Sequence, residues 1–361
     1  MNRIQRIYSN VEENIDAIII MSADEPLIDV SFFYTTEVKG GIFEECPVIL
    51  WPDGQSHIIS SQLEETSARS SRSSVSIYAD KSERDAIIAD ALGKIKYLGI
   101  NASGITHANA KLLKKILPDI RLIDVGYAIK KARMIKDMDE IRSIKRACDI
   151  ASKVAEDIPS FLKEGISEGE TAAEIEYRMQ KLGATSVSFD TISAFGSNSA
   201  EPHHSSSDRK LRVGEPALFD FGCKYNRYCS DITRTYFVDT VSNKFERIYQ
   251  VVLEAQKRAL DMIRAGVNGR DVDAAAREYI DNSGFPGGLI HSTGHGLGLS
   301  VHDGGRLAPN DDLVLKENMI LTVEPGIYIP GEGGVRIEDD VLVTRDGYEL
   351  LTSADKNLTI I

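Results

Sequence analysis

Acids stand where apolar strands are expected. Asp220 lies within Ala217-Leu218-Phe219-Asp220-Phe221, Glu324 closes Met319-Ile320-Leu321-Thr322-Val323-Glu324, and Glu338 lies within Val335-Arg336-Ile337-Glu338-Asp339-Asp340-Val341. Asp231 sits on the strand that returns after Asp220. Carboxylates in such surroundings should be buried or half-buried, and a buried anion costs several kcal/mol unless it is paired or bound to a metal. One such acid is readily explained by a salt bridge. Four strain that explanation, because the obvious basic neighbours are only Arg234 and Arg336. Two divalent cations with one bridging hydroxide would bring four carboxylates close to charge balance.

Five of the seven histidines, His203, His204, His291, His295 and His302, fall in the same part of the chain. His295 is flanked by Gly294 and Gly296, which let backbone approach closely and leave the imidazole open to a metal. Histidine with carboxylates suits manganese, cobalt, zinc or iron, and an oxygen-rich set also admits magnesium. The glycines of Gly294 to Gly298 do not make a phosphate loop: the lysine of a P-loop is missing, and no G-x-G-x-x-G leads from a strand into a helix.

These residues need elements to carry them. Leu211 opens a turn and strand that reach Asp220 nine residues on, and Leu315 does the same for Glu324. Each is followed by a turn and a second strand with another acid, Asp231 and then Glu338, and two helices precede each half. Ile141 to Ile158 is apolar at helical spacing, Ser167-Glu168-Gly169-Glu170 reads as a capping box, and helices are predicted over about 244–264 and 270–282. Two helix-helix-hairpin units predict a curved antiparallel sheet backed by helices, with a pseudo-two-fold relation. Ahead of them, strands at Ala17 to Met21, Val48 to Trp51, Ser56 to Ser60 and Lys94 to Ile100 alternate with helices at Glu83 to Ile95 and His107 to Leu117, predicting a mixed or parallel sheet. The serine- and arginine-rich stretch 67–76 reads as a loop or helix end, and the segment 124–139 offers no clear core strand. The domain boundary is therefore expected near Val125, giving domains 1–125 and 126–361.

Composition limits the partners. The chain has 361 residues, 42% hydrophobic and 27% charged, with a net charge of −13. This is ordinary globular usage, and the acidic balance argues against a nucleic-acid surface. No apolar run approaches the ~20 residues of a membrane span. Met1 to Glu13 lacks an export signal, and Cys46, Cys148, Cys223 and Cys229 form no C-x-x-C pair, so reduced thiols in a cytoplasm are expected. Cys223 and Cys229 are read as packing residues.

Asp220-Phe221-Gly222, Ser230-Asp231-Ile232-Thr233-Arg234-Thr235, Gly294-His295-Gly296, Glu324-Pro325-Gly326 and Arg336-Ile337-Glu338-Asp339, with ligand spacings of 11, 64, 29 and 14, resemble the signature segments of Xaa-Pro dipeptidases (prolidases) and their relatives aminopeptidase P and creatinase. The resemblance implies an α+β protein: a small creatinase-like α/β N-terminal domain followed by a pita-bread catalytic domain. It implies two divalent metal ions, with Asp220 on one, Asp231 and Glu338 bridging both, and His295 and Glu324 completing the second. Manganese or cobalt comes first, then zinc or iron. Such a pair, ~3.5–4 Å apart, holds a hydroxide that attacks the peptide carbonyl. Glu324 falls at the family's general acid/base, and His203 and His302 at histidines that would polarise the carbonyl or stabilise its oxyanion.

The implied substrate is a small peptide with proline at the second position, whose tertiary amide has no N–H for strand-like docking. Arg306 matches a prolidase arginine for the substrate carboxylate, and Phe189 and Ile192 are candidates to line the proline pocket. Thr233 and Arg234 are expected behind Asp231, Arg336 near Glu338, and His204 and His291 are read as neighbours without a role. Where many relatives have His-Glu-x-Pro, this chain has His302-Asp303-Gly304-Gly305-Arg306, which reshapes the loop at the substrate's C-terminal end. The resemblance also implies a cytoplasmic homodimer. Alternatives are an aminopeptidase P acting on longer Xaa-Pro peptides and a metal-free pita-bread binding module.

Overall fold

A computed structural model describes residues 1–361, which divide into two compact units, Met1–Arg133 and Met134–Ile361. The division falls after Arg133 rather than near Val125. The helix Gly126–Met134 is tied to the first unit: Val125 N donates to Ile100 O, and the Tyr34 hydroxyl donates to Ala132 O at 3.0 Å.

In the first unit the strands Ser74–Tyr78, Ser56–Ser61, Pro47–Leu50, Ala17–Met21, Tyr97–Ile100 and Arg121–Asp124 lie side by side in that order. The pairing is mixed: Ile19 faces Ile49 across an antiparallel pair and Ile100 across a parallel one. All five residues of Ala17–Met21 are buried, as a central strand covered on both faces requires. Ile19, Ile49, Ile59, Ile88, Leu92 and Leu98 form its core. The helix Lys81–Leu92 starts where Asp80 accepts from Ser82 N and Glu83 N, and His107–Ile116 starts at the Thr106 cap.

Two strands were not expected from the sequence. Ser74–Tyr78 begins inside the stretch 67–76 read as a loop or helix end and runs past it, and Arg121–Asp124 lies just before the expected boundary. Both are sheet edges, where one side needs no partner and polar residues such as Ser74, Ser76 and Arg121 are tolerated, so neither shows a strong apolar pattern.

The second unit is two helix-backed hairpins. Helices Met138–Asp157 and Glu168–Lys181 precede the antiparallel strands Ala217–Phe221 and Ile232–Tyr236. Helices Asn243–Met262 and Gly269–Asn282 precede Ile320–Val323 and Asp339–Val343, also antiparallel. The Ser167–Glu170 capping box forms as the sequence indicates. One core joins the first helix pair to Phe195, Phe219 and Phe221, and a second joins the later pair to Leu321, Val323 and Val341. The halves meet along their second strands: Glu338 N donates to Thr233 O, and the Thr235 hydroxyl donates to Arg336 O at 3.1 Å. That seam brings the acid of one hairpin next to the acid of the other.

Candidate metal centre and peptide cavity

The second unit holds a cavity of about 910 Å³. Asp220, Asp231, His295, Glu324 and Glu338 line it, as do His203, His302, Arg306, Phe189 and Ile192. Five separate stretches of chain therefore converge on one space. Asp220 is carried on the strand Ala217–Phe221, where Ile192 is its neighbour in the adjoining strand. Asp231 and Glu338 stand just before their strands, on either side of the seam. His295 ends the two-residue strand Gly294–His295. A side chain on Gly294 would strike Thr322 O and one on Gly296 would strike Gly304 O, so glycine at both positions is what lets this strand lie so close to its neighbours.

Ligand atoms of Asp231, His295 and Glu338 all lie within 4.8 Å of one another, and the three residues are buried. His295 Nε2 is 3.7 Å from Asp231 Oδ2 and 3.5 Å from Glu324 Oε1. Its Nδ1 is 3.2 Å from Gly296 O, which fixes the proton there and leaves the Nε2 lone pair facing the acids. Burial holds the His295 imidazole at a pKa of about 3, so the ring is neutral and able to ligate.

The acids are charged only at a cost. Burial, then Glu338 and Asp220, push the Asp231 carboxyl far above the usual range. Burial followed by Glu324 does the same to Glu338, and burial raises Glu324 to about 7. Asp220 Oδ1 and Asp231 Oδ1 are buried without any hydrogen-bond partner. Orphaned carboxylate oxygens beside a neutral imidazole are a donor set that fits divalent cations, which would replace the missing hydrogen bonds and the missing charge.

The basic residues are placed partly as expected. Arg336 lies near Glu338 as expected, favouring its charged form and bonding Thr233, but its direct carboxylate partner is Asp220, whose Oδ2 is 2.5 Å from Nη2. Arg234 does not face Asp231. It donates to Asp339 Oδ1 at 2.8 Å and to the carbonyls of Glu338 and Ala354, locking the strand behind Glu338. Thr233 donates to Glu338 Oε2 at 2.6 Å rather than to Asp231. Strand alternation sets the two apart: Thr233 points to the side of Glu338 and Arg234 to the side of Asp339.

Three polar residues missed in the sequence reading join the site. His291 was read as having no role. Its Nδ1 is 2.8 Å from Ser292 O, so Nε2 accepts from the Tyr328 hydroxyl at 2.7 Å. That hydroxyl in turn accepts from Arg336 Nη1 at 2.8 Å. The result is a fixed line from His291 through Tyr328 and Arg336 to Asp220. His204, also read as idle, bonds the buried Glu168, whose carboxylate accepts from Phe195 N, Asn198 and Ser207 and so ties down the loop that bears His203. Replacing Tyr328 with Phe should lower kcat/KM about tenfold while leaving Tm within a few degrees, because one buried link of about 1–2 kcal/mol is lost; steady-state kinetics and a melting curve check this.

The model for metallopeptidase family M24 matches residues 142–345, and that for the creatinase/prolidase N-terminal domain matches residues 3–135. The Xaa-Pro dipeptidase of Pyrococcus furiosus is 44% identical over 251 residues, 70% of each chain. The structure of an Xaa-Pro dipeptidase from Bacillus anthracis superposes with a TM-score of 0.91 at 37% identity, covering 99% of both chains. That of an X-Pro aminopeptidase from Thermotoga maritima superposes with a TM-score of 0.90 at 33% identity, covering 96% of this chain and 98% of the other.

Proposed function

The chain belongs to metallopeptidase family M24, and from that membership we propose that it hydrolyses Xaa-Pro peptide bonds, chiefly in dipeptides, using two divalent metal ions. The observation that carries the reading is the buried acid cluster with its two orphaned oxygens around a neutral histidine. Asp220, Asp231, His295, Glu324 and Glu338 would hold the ions, with manganese or cobalt ahead of zinc or iron. When bound, the ions supply an activated water at neutral pH and a Lewis acid for the scissile carbonyl.

The chain's own groups do the rest. Glu324, whose Oε1 lies 3.5 Å from His295 Nε2 at the cavity wall, would accept a proton from the attacking water and deliver it to the proline nitrogen as that bond breaks. His302 stacks edge-on to His295 with ring centroids 4.3 Å apart, and burial and Arg306 keep it neutral with one N–H to offer a developing oxyanion. His203 lines the same cavity and would supply a second donor. Phe189 and Ile192 would enclose the proline ring. Arg306 stands opposite His295 in the register of a short antiparallel pair, a position that suits a fork for the substrate carboxylate.

The reading includes a homodimer, which rests on the family resemblance, and a cytoplasmic location, which four buried free cysteines fit. No helix is long and apolar enough to cross a membrane.

Ala-Pro and Ala-Pro-Ala, offered to manganese-loaded enzyme, test the substrate class. The dipeptide should be cleaved with the higher kcat/KM, and Arg306→Ala should raise its KM at least about tenfold while affecting the tripeptide far less. Faster cleavage of the tripeptide would make the chain an aminopeptidase P, and equal effects of Arg306→Ala on both would remove its carboxylate role.

A further inference from the structure

The cavity mouth carries a feature that the chemistry above does not use. Ile290, in the loop between the helix Gly269–Asn282 and the strand Gly294–His295, lines the cavity with 62% of its surface exposed. A large apolar side chain left this open loses contact with water only when something apolar covers it. Its backbone, in contrast, is firmly held. Arg277 donates from Nη1 to Leu289 O at 2.5 Å and from Nη2 to His291 O at 2.8 Å, gripping the carbonyls on both sides of Ile290. The guanidinium is itself fixed, with Nε and Nη2 each 2.8 Å from the two oxygens of Asp273, one helical turn earlier. Asp273 is buried and also accepts from Thr293 N at 3.1 Å and the Thr293 hydroxyl at 2.8 Å. A helix thus clasps residues 289–293 at four points and presents one unsupported apolar side chain into the cavity.

Rigid presentation of an apolar group at a binding site is how preorganised selectivity is built. Phe189 and Ile192 are half-buried and suit a compact ring that must be enclosed. The more exposed Ile290 suits a group whose size varies and whose far end remains in solvent. We propose that Ile290 selects the side chain of the substrate's first residue, favouring apolar ones, and that Arg277 is the positioning residue that holds Ile290 in place. This rests on the Xaa-Pro reading above.

The test compares kcat/KM for Leu-Pro, Gly-Pro and Arg-Pro in manganese-loaded enzyme. Ile290→Ala should lower the Leu-Pro to Gly-Pro ratio about tenfold, the usual discrimination of a small apolar contact, and Ile290→Asp should raise Arg-Pro relative to Leu-Pro by a similar factor. Arg277→Met should lower the Leu-Pro to Gly-Pro ratio too, and Arg277→Met combined with Ile290→Ala should lower it no further than Ile290→Ala alone, because one acts through the other. Arg277→Lys, which keeps the charge beside Asp273, serves should the methionine variant fail to fold; it should also lower the ratio. Cleavage of both peptides with an unchanged ratio in Ile290→Ala overturns the assignment of Ile290. Additive effects of the two substitutions overturn the role of Arg277. Failure of the wild-type enzyme to cleave any of the three peptides overturns the functional reading instead.

Discussion

Asp231→Asn is expected to abolish turnover, with kcat/KM reduced at least ~10³-fold, and to lower bound metal below that of the parent protein. Asp231 lies within ligand reach of both His295 and Glu338 and has one oxygen with no partner, so it stands where a single side chain can serve two ions. Asparagine keeps the shape but removes the charge that balances the cations. The metal-free fold must also keep this buried carboxyl protonated far above its ordinary pKa, and that cost disappears with asparagine, so the folded protein should survive or gain stability when metal is absent. Loss of activity with a retained or raised Tm separates a ligand from a structural residue. Metal analysis by mass spectrometry, kinetics with Ala-Pro and a melting curve check the three outcomes. Full activity with unaltered metal content would remove Asp231 from the centre.

Stripping the metal should produce a protein that becomes less stable as pH rises from about 6.5 to about 8. Glu324 titrates near 7 and Asp340 near 8 in the fold, and Asp231 and Glu338 are pushed well above the usual carboxylate range, because burial penalises their charged forms. Unfolded, the same carboxyls have released their protons far below this window. The native state therefore holds more protons than the unfolded state, and stability falls with pH. His291 and His295, depressed to about 4 and about 3, act in the opposite sense, but only below about pH 6.5, where their unfolded forms take up protons. The expected loss is on the order of 5 °C in Tm across the window. Adding manganese at about pH 8 should restore stability, and should do so less well at about pH 6, where protons compete for the ligands. A metal-free protein whose Tm rises through the same window would contradict this electrostatic description.

The acids proposed as metal ligands stood out in the sequence because they sit in or beside apolar strands, where a lone carboxylate makes no sense without a partner. Asp220 breaks a hydrophobic run and Glu324 ends one, and the repeated nine-residue approach to the two foreshadowed the two hairpins that meet at the seam. Tyr328 was not legible, because Gly326-Ile327-Tyr328-Ile329 reads as any strand with an aromatic residue, and only the fold sets its hydroxyl between His291 and Arg336. Arg336 was placed near Glu338 by its sequence neighbourhood, yet its partner Asp220 is 116 residues away. Asp273 and Arg277 look like an ordinary surface pair one turn apart on a helix; their grip on residues 289–293 exists only in three dimensions. In the first unit, edge strands escaped notice because they need only one apolar face, and Gly126–Met134 because its lysines and arginine mask the buried Ala128, Ile129 and Ala132.

The most direct measurement is anomalous diffraction at the manganese edge from crystals of the manganese-loaded protein. Two peaks are expected, about 3.5–4 Å apart, within bonding distance of Asp220, Asp231, His295, Glu324 and Glu338. A single peak, or peaks away from these five residues, would contradict a dinuclear centre built from them.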